Sequence, residues 1–144
     1  MIEQDTVRLL RECDAGVKMG IASIGDVMGS VRDETMKELL TKCRAEHEKL
    51  DREIRQALDR FCDEGKDPNP VASFMSEMKT GMKLAMKDSD QTIADLMTDG
   101  CNMGVKSLTK YLNQYKAADE ASKDIAKRLI SLEERLAIDL RPYL

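Results

Sequence analysis

Apolar residues return along this chain at alternating steps of three and four, the spacing that lays them on one face of an α-helix. Leu10, Cys13, Val17, Ile21, Ile24, Met28 and Val31 make one such stripe, long enough for about six helical turns. Gly25 and Gly29 weaken its far end, so a break is expected near Gly29-Ser30. Asp33 is a good N-cap for a second helix. Its stripe runs through Met36, Leu40, Cys43, His47, Leu50, Ile54, Ala57 and Phe61. Such regular steps suit an antiparallel partner at a shallow crossing angle. The helix should stop by Gly65, because two prolines in the following GKDPNP forbid its continuation.

Asn69 and Pro70 then open a shorter amphipathic segment, 71–87, carrying Val71, Met75, Met78, Met82 and Ala85. After the polar stretch KDSDQ the next stripe is Ile93, Met97, Cys101, Gly104, Leu108, Leu112 and Tyr115. KAADEAS reads as a tight turn with Asp119 as cap. The last helix carries Ile125, Leu129, Leu132, Leu136 and Leu140, and ends before Pro142.

An internal repeat organises these segments. CDAGVK at 13–18 matches CNMGVK at 101–106, an offset of 88 from Cys13 to Cys101. DETMKEL at 33–39 matches DEASKDI at 119–125, and HEKL at 47–50 matches EERL at 133–136, both at an offset of 86. The chain therefore reads as one domain, 1–144, of two helical hairpins, 4–63 and 90–141, related by a pseudo-two-fold and joined by the 71–87 segment. Short hairpin turns with one long middle connection describe the crossover form of the four-helix bundle.

Composition narrows the class of protein without naming a task. Of 144 residues, 35% are charged, 42% hydrophobic and 3% aromatic, with ten Met and no Trp, a balance that suits helices and argues against disorder. No apolar run approaches the roughly 18 residues of a bilayer span, and MIEQDTVRLL is not a secretory signal. A cytoplasmic protein without a membrane partner is expected. The net charge of −4, with both signs spread along every segment, gives no reason to expect nucleic acid. Cys13, Cys43, Cys62 and Cys101 are far apart with no CxxC pair, so free buried thiols are expected over a disulfide framework.

With its repeat and its CDAG and CNMG motifs, the sequence resembles the ferritin-like four-helix bundles. More narrowly, it is similar to an uncharacterised bacterial branch whose first and third helices carry Cys-x-x-Gly. The resemblance implies an all-α bundle with a crossover helix, whose metal-binding relatives hold two irons or manganese with one Glu from each of two helices and Glu-x-x-His from the other two. The residues here depart from that pattern. The core position after the shared glycine is Val17 or Val105, and neither can ligate a metal. Arg44 stands three residues before His47, and Ile130 three before Glu133, so neither helix holds Glu-x-x-His. The layer offers His47, Glu133 and Glu46, too few ligands for a di-metal centre.

Two readings remain for these residues. Cys43 and His47, four apart on one face, could share a zinc ion with another cysteine. A metal-binding or redox bundle using Zn or Fe, with His47, Glu133, Glu46 and Cys43, is thus the alternative. The favoured reading pairs His47 with Glu133, since an unpaired buried imidazole is costly, and treats the cysteines as packing. Counting from the turn near residue 31 sets His47 opposite Gly16-Val17 and Cys43 opposite Gly20. A Cys–His nucleophile lacks a cleft and oxyanion donors on a packed helix. Met75, Met78, Met82 and Met86 form a thioether stripe down the connecting helix, suited to burial across the bundle or to a homo-oligomer contact. The expectation is a non-enzymatic structural or interaction protein, plausible as a homodimer and requiring no cofactor.

Overall fold

The computed structural model describes residues 2–66 and 89–144, and of Ile2 and Ser89 the backbone alone. The expected helix over 71–87 and its methionines Met75, Met78, Met82 and Met86 lie outside the described residues. Within them, four helices form: α1 (Ile2–Met28), α2 (Glu34–Asp59), α3 (Ser89–Gln114) and α4 (Glu120–Asp139), followed by a 3-10 turn at Arg141–Tyr143. No strand occurs among the described residues. No described helix is long and apolar enough to cross a membrane.

The repeat has a direct structural counterpart. The connectors between paired helices, residues 29–33 and 115–119, are equal in length and stand 86 residues apart (33 and 119). Each ends in an aspartate with extended backbone whose carboxylate accepts a helix-opening N–H. Asp33 Oδ1 takes Met36 N at 2.8 Å, and Asp119 Oδ1 takes Ser122 N at 2.8 Å. These caps satisfy otherwise orphaned donors, each worth about 1 kcal/mol. α1 stops at Met28, just before the expected break.

The connectors are also tied to the opposite hairpin. Asp90, in the first turn of α3, accepts from Arg32 N at 2.8 Å and Asp33 N at 3.0 Å. At the other end, Asp5 and Thr6 of α1 accept from Ala117 N and Asp119 N at 3.0 and 2.8 Å. α1 therefore begins where α3 ends, and the four helices run up, down, down, up. α1 and α4 each pack against all three of the other helices.

The core stripes fill the interior much as spaced, with local departures. Leu58 is fully buried where the stripe predicted Phe61, which is half-buried beyond the helix end. Ile21, Met28, Val105, Leu112 and Leu132 are only partly covered. α2 ends at Asp59, short of Gly65 as its sequence requires, and closes in a Schellman turn. Asp63 N donates to Leu58 O at 3.1 Å, Cys62 N donates to Asp59 O at 3.0 Å, and Cys62 takes the left-handed conformation at φ 54°.

Beyond that turn the chain runs back along α1. Arg11 Nε meets Asp63 Oδ1 at 3.1 Å, Lys66 Nζ meets Glu12 Oε1 at 2.6 Å, and Lys66 N donates to Asp14 Oδ2 at 2.9 Å. Gly65, at φ 87°, lies so close to the Asp14 carboxylate that a Cβ there would collide with it. A left-handed Cys62 carries a penalty that glycine does not. Cys62→Gly should therefore raise the unfolding free energy by about 1 kcal/mol, measured by urea denaturation; an unchanged midpoint would refute the strain.

Candidate functional site

One polar layer divides the apolar interior in two. On one side lie Leu9, Leu10, Cys13, Val17, Leu50, Ile54, Leu108 and Leu129. On the other lie Ile24, Val27, Met36, Leu40, Cys43, Met97, Cys101 and Leu136. Between them His47 of α2 meets Glu133 of α4, Nε2 to Oε1 at 2.9 Å, with the imidazole fully buried. The pairing expected from the repeat is thus present, joining two positions 86 residues apart.

The ring's protonation follows from its partners. Nδ1 lies 2.8 Å from the Cys43 carbonyl oxygen, which can only accept, so Nδ1 carries a proton. The same N–H reaches Cys43 Sγ at 3.5 Å. Burial alone would lower the pKa of His47. The Cys43 and Glu133 acceptors and the Glu133 charge overcome this and hold it up to about 10. His47 is therefore an imidazolium donating through both nitrogens, and Glu133 accepts from it.

All four helices contribute to this layer. Gly20 of α1 lies flat against the imidazole: a Cβ there would sit 2.7 Å from Cδ2 and 2.8 Å from Nε2. Gly104 of α3 gives Glu133 its passage, at an ordinary contact distance of 3.7 Å from a notional Cβ. The glycine facing His47 is therefore Gly20 and not Gly16, one turn along α1 from the expected level. Gly16 instead faces Leu129 and Leu108. Cys101 lies by Glu133, and its thiol pKa is driven far up by burial and then by the carboxylate's charge. A cavity of about 20 Å³, room for one water, lies beside His47 and Glu133, lined also by Ser23, Met97 and Cys101.

The other expected ligands are elsewhere. Cys13 belongs to the opposite apolar cluster from Cys43, its pKa raised to about 12 by burial and by Glu12 and Asp14. Glu46 is half-buried on another side of α2, in a surface groove of about 170 Å³ that it shares with Lys42, Arg135 and Asp139. Among the described residues, no group of three or more His, Cys, Asp or Glu is placed to hold a metal ion. The residues do not fit a di-metal centre, because both ring nitrogens of His47 are engaged and Glu133 has no second carboxylate beside it in this layer.

Sequence reasoning missed a second buried charge. Asp14, inside the CDAG motif, is fully buried. It accepts from Lys18 Nζ at 2.9 Å, Arg55 Nη2 at 3.4 Å and Lys66 N at 2.9 Å. Its repeat partner Asn102 is exposed. The only local signal was Lys18 four residues on, a spacing equally common on solvated faces.

Two outcomes follow from this geometry. Gly20→Ala should destabilise the fold by about 1–3 kcal/mol, because the ring is locked by two hydrogen bonds and cannot yield. Gly16→Ala, whose Cβ would meet Leu129 at 3.6 Å, should be neutral or gain up to about 1 kcal/mol of helix propensity. Chemical denaturation of both variants decides; equal effects would refute the register. The folded pKa of His47 is raised from 6.5 to about 10. Its contribution is therefore complete below pH 6.5, declines as pH rises, and is lost above about 10. Denaturation across that range should show the decline in the wild type and its attenuation in a His47→Leu, Glu133→Leu double variant.

Comparisons of the chain with protein-family models, curated proteins and solved structures found no match.

Proposed function

We propose that the chain is a ferritin-like bundle working as a structural or protein-interaction module in the bacterial cytoplasm, with no di-metal centre and no reaction of its own. The carrying observation is the closed central layer. The sole histidine gives one ring nitrogen to a backbone carbonyl and the other to Glu133, with Gly20 against the ring. In that arrangement neither ring nitrogen of His47 is left to ligate a metal or to serve as a general base. Nδ1, the nitrogen near Cys43, already carries its proton, so it cannot take the thiol's.

The up-down-down-up helix order supports the ferritin-like reading, because α2 and α3 then require a connection between opposite ends. The methionine pattern at Met75, Met78, Met82 and Met86 supports a homo-oligomer, since thioethers suit adaptable contacts. One experiment tests both parts: light scattering with elemental analysis on protein purified without chelator. The expected result is a mass above one chain, reduced by Met78→Lys with Met82→Lys, and less than about 0.1 equivalent of Fe, Mn or Zn. Near-stoichiometric metal that disappears in His47→Ala would overturn the reading in favour of a metal-binding bundle.

A further inference from the structure

The two seams between the hairpins differ in chemistry. On the α2–α4 side, Arg128 bridges to Glu53, and the groove carries Lys42, Glu46, Arg135 and Asp139. On the α1–α3 side charge is scarce: α1 has no charged residue between Lys18 and Asp26, and α3 has none between Asp99 and Lys106. A cleft between Met19 and Ser23 of α1 and Met97 and Gly100 of α3 leads down to His47 and Glu133, and Glu133 retains 9% exposure there. Met19, Gly20 and Gly100 are only half-buried. Met103, three residues beyond Gly100 on the same helix face, is 45% exposed. Surfaces poor in charge and bearing methionine are those that proteins cover.

The chain leaves and re-enters the described fold at opposite ends of this seam. Lys66 is bound to α1 by its amide on Asp14 and its ammonium on Glu12, at 2.9 and 2.6 Å. It lies close enough to Tyr111 of α3 for its charge to act on that hydroxyl. α3 opens at Ser89 beside the far end of α1, where Asp90 accepts from Arg32 N at 2.8 Å. Between these levels α1 runs from Asp14 to Met28, about 21 Å. Residues 67–88 number 22 (88 − 66) and could extend to about 70 Å, far more than a bridge needs. Wound as the helix expected over 71–87, they cover about 26 Å, close to the run of the seam. We propose that the α1–α3 seam is a docking groove for the chain's own residues 67–88, whose apolar stripe of Val71, Met75, Met78 and Met82 seats against Met19, Gly20 and Gly100. Unbranched thioethers fit an irregular cleft between glycines, and the cover keeps water from the Glu133 side of the buried pair. The inference goes beyond the homo-oligomer reading without resting on it: a second copy meets a segment already seated on its own bundle.

The test is hydrogen exchange with mass spectrometry on the intact chain, together with amine cross-linking of an equal mixture of isotopically light and heavy protein. Amides within 71–87 should exchange at least about tenfold slower than in an unstructured chain. Met19→Glu should remove that protection while amides of α2 and α4 stay protected, and Lys42→Glu, on the opposite seam, should leave it in place. Cross-links from Lys79 and Lys83 to Lys18 or Lys106 should join light with light and heavy with heavy. Light–heavy links in about half of these pairs would instead put a second copy's segment in the groove and overturn the proposal. So would full exchange of 71–87 in the wild type, or protection indifferent to Met19→Glu. Should Met19→Glu unfold, Met78→Lys with Met82→Lys, both outside the described helices, make the same comparison. Neither readout depends on the mass in solution, so failure here is distinct from failure of the homo-oligomer reading.

Discussion

The hydrogen-bonded ion pair of His47 and Glu133 is the constraint around which the interior is arranged. Removing two charges from water is expensive, and attraction between them compensates only when the geometry is good and the remaining donors are satisfied. Each neighbour in the layer serves that requirement. Gly20 lets the ring lie against the α1 backbone, Gly104 leaves a passage for Glu133, and the Cys43 carbonyl accepts the second ring proton. The apolar clusters above and below could each tolerate exchanges among Leu, Ile and Met. The layer between them tolerates little, because a missing partner leaves a buried charge unpaired.

Much of this was legible in the sequence because it depends on local periodicity. Helix positions follow from steps of three and four, and the caps follow from Asp33 and Asp119. The pairing of His47 with Glu133 follows from their shared register after those caps: each stands 14 residues on (33 to 47, 119 to 133). What resisted reading depends on contacts between elements. The level of Gly20 against His47 is set by how the 29–33 connector turns, and a one-turn error in that count exchanges it with Gly16. Glu46 belongs to the groove because of the rotation of α2 against α4, which its place beside His47 in sequence conceals. Asp14 is buried by Arg55 and Lys66, residues 41 and 52 positions away. The left-handed turn at Cys62 lacks the glycine that ordinarily announces one.

The two hairpins share a plan but not their finish. Both have five-residue connectors with aspartate caps, and in each the connector is held by the first turn of a helix from the other hairpin. Their differences are electrostatic. Asp14 holds the returning chain after α2, whereas Asn102, its counterpart, faces solvent. On the surface, Arg128 of α4 grips Glu53 of α2 with two nitrogens, at 2.8 and 3.2 Å. Exposed bonds of this kind contribute little individually, so the hairpins are joined chiefly by the buried pair and the apolar clusters.

The opposite charges at the repeat-related positions also bear on partner choice. If two copies of the first hairpin associated in the same manner, His47 would face another His47. Two copies of the second would place Glu133 against Glu133. Either arrangement would bury like charges without compensation, whereas one copy of each forms the bond observed at 2.9 Å. A chain built from two similar halves runs a standing risk that each half will recognise its own kind. Here a single imidazolium and a single carboxylate give each half a means of telling the other from itself.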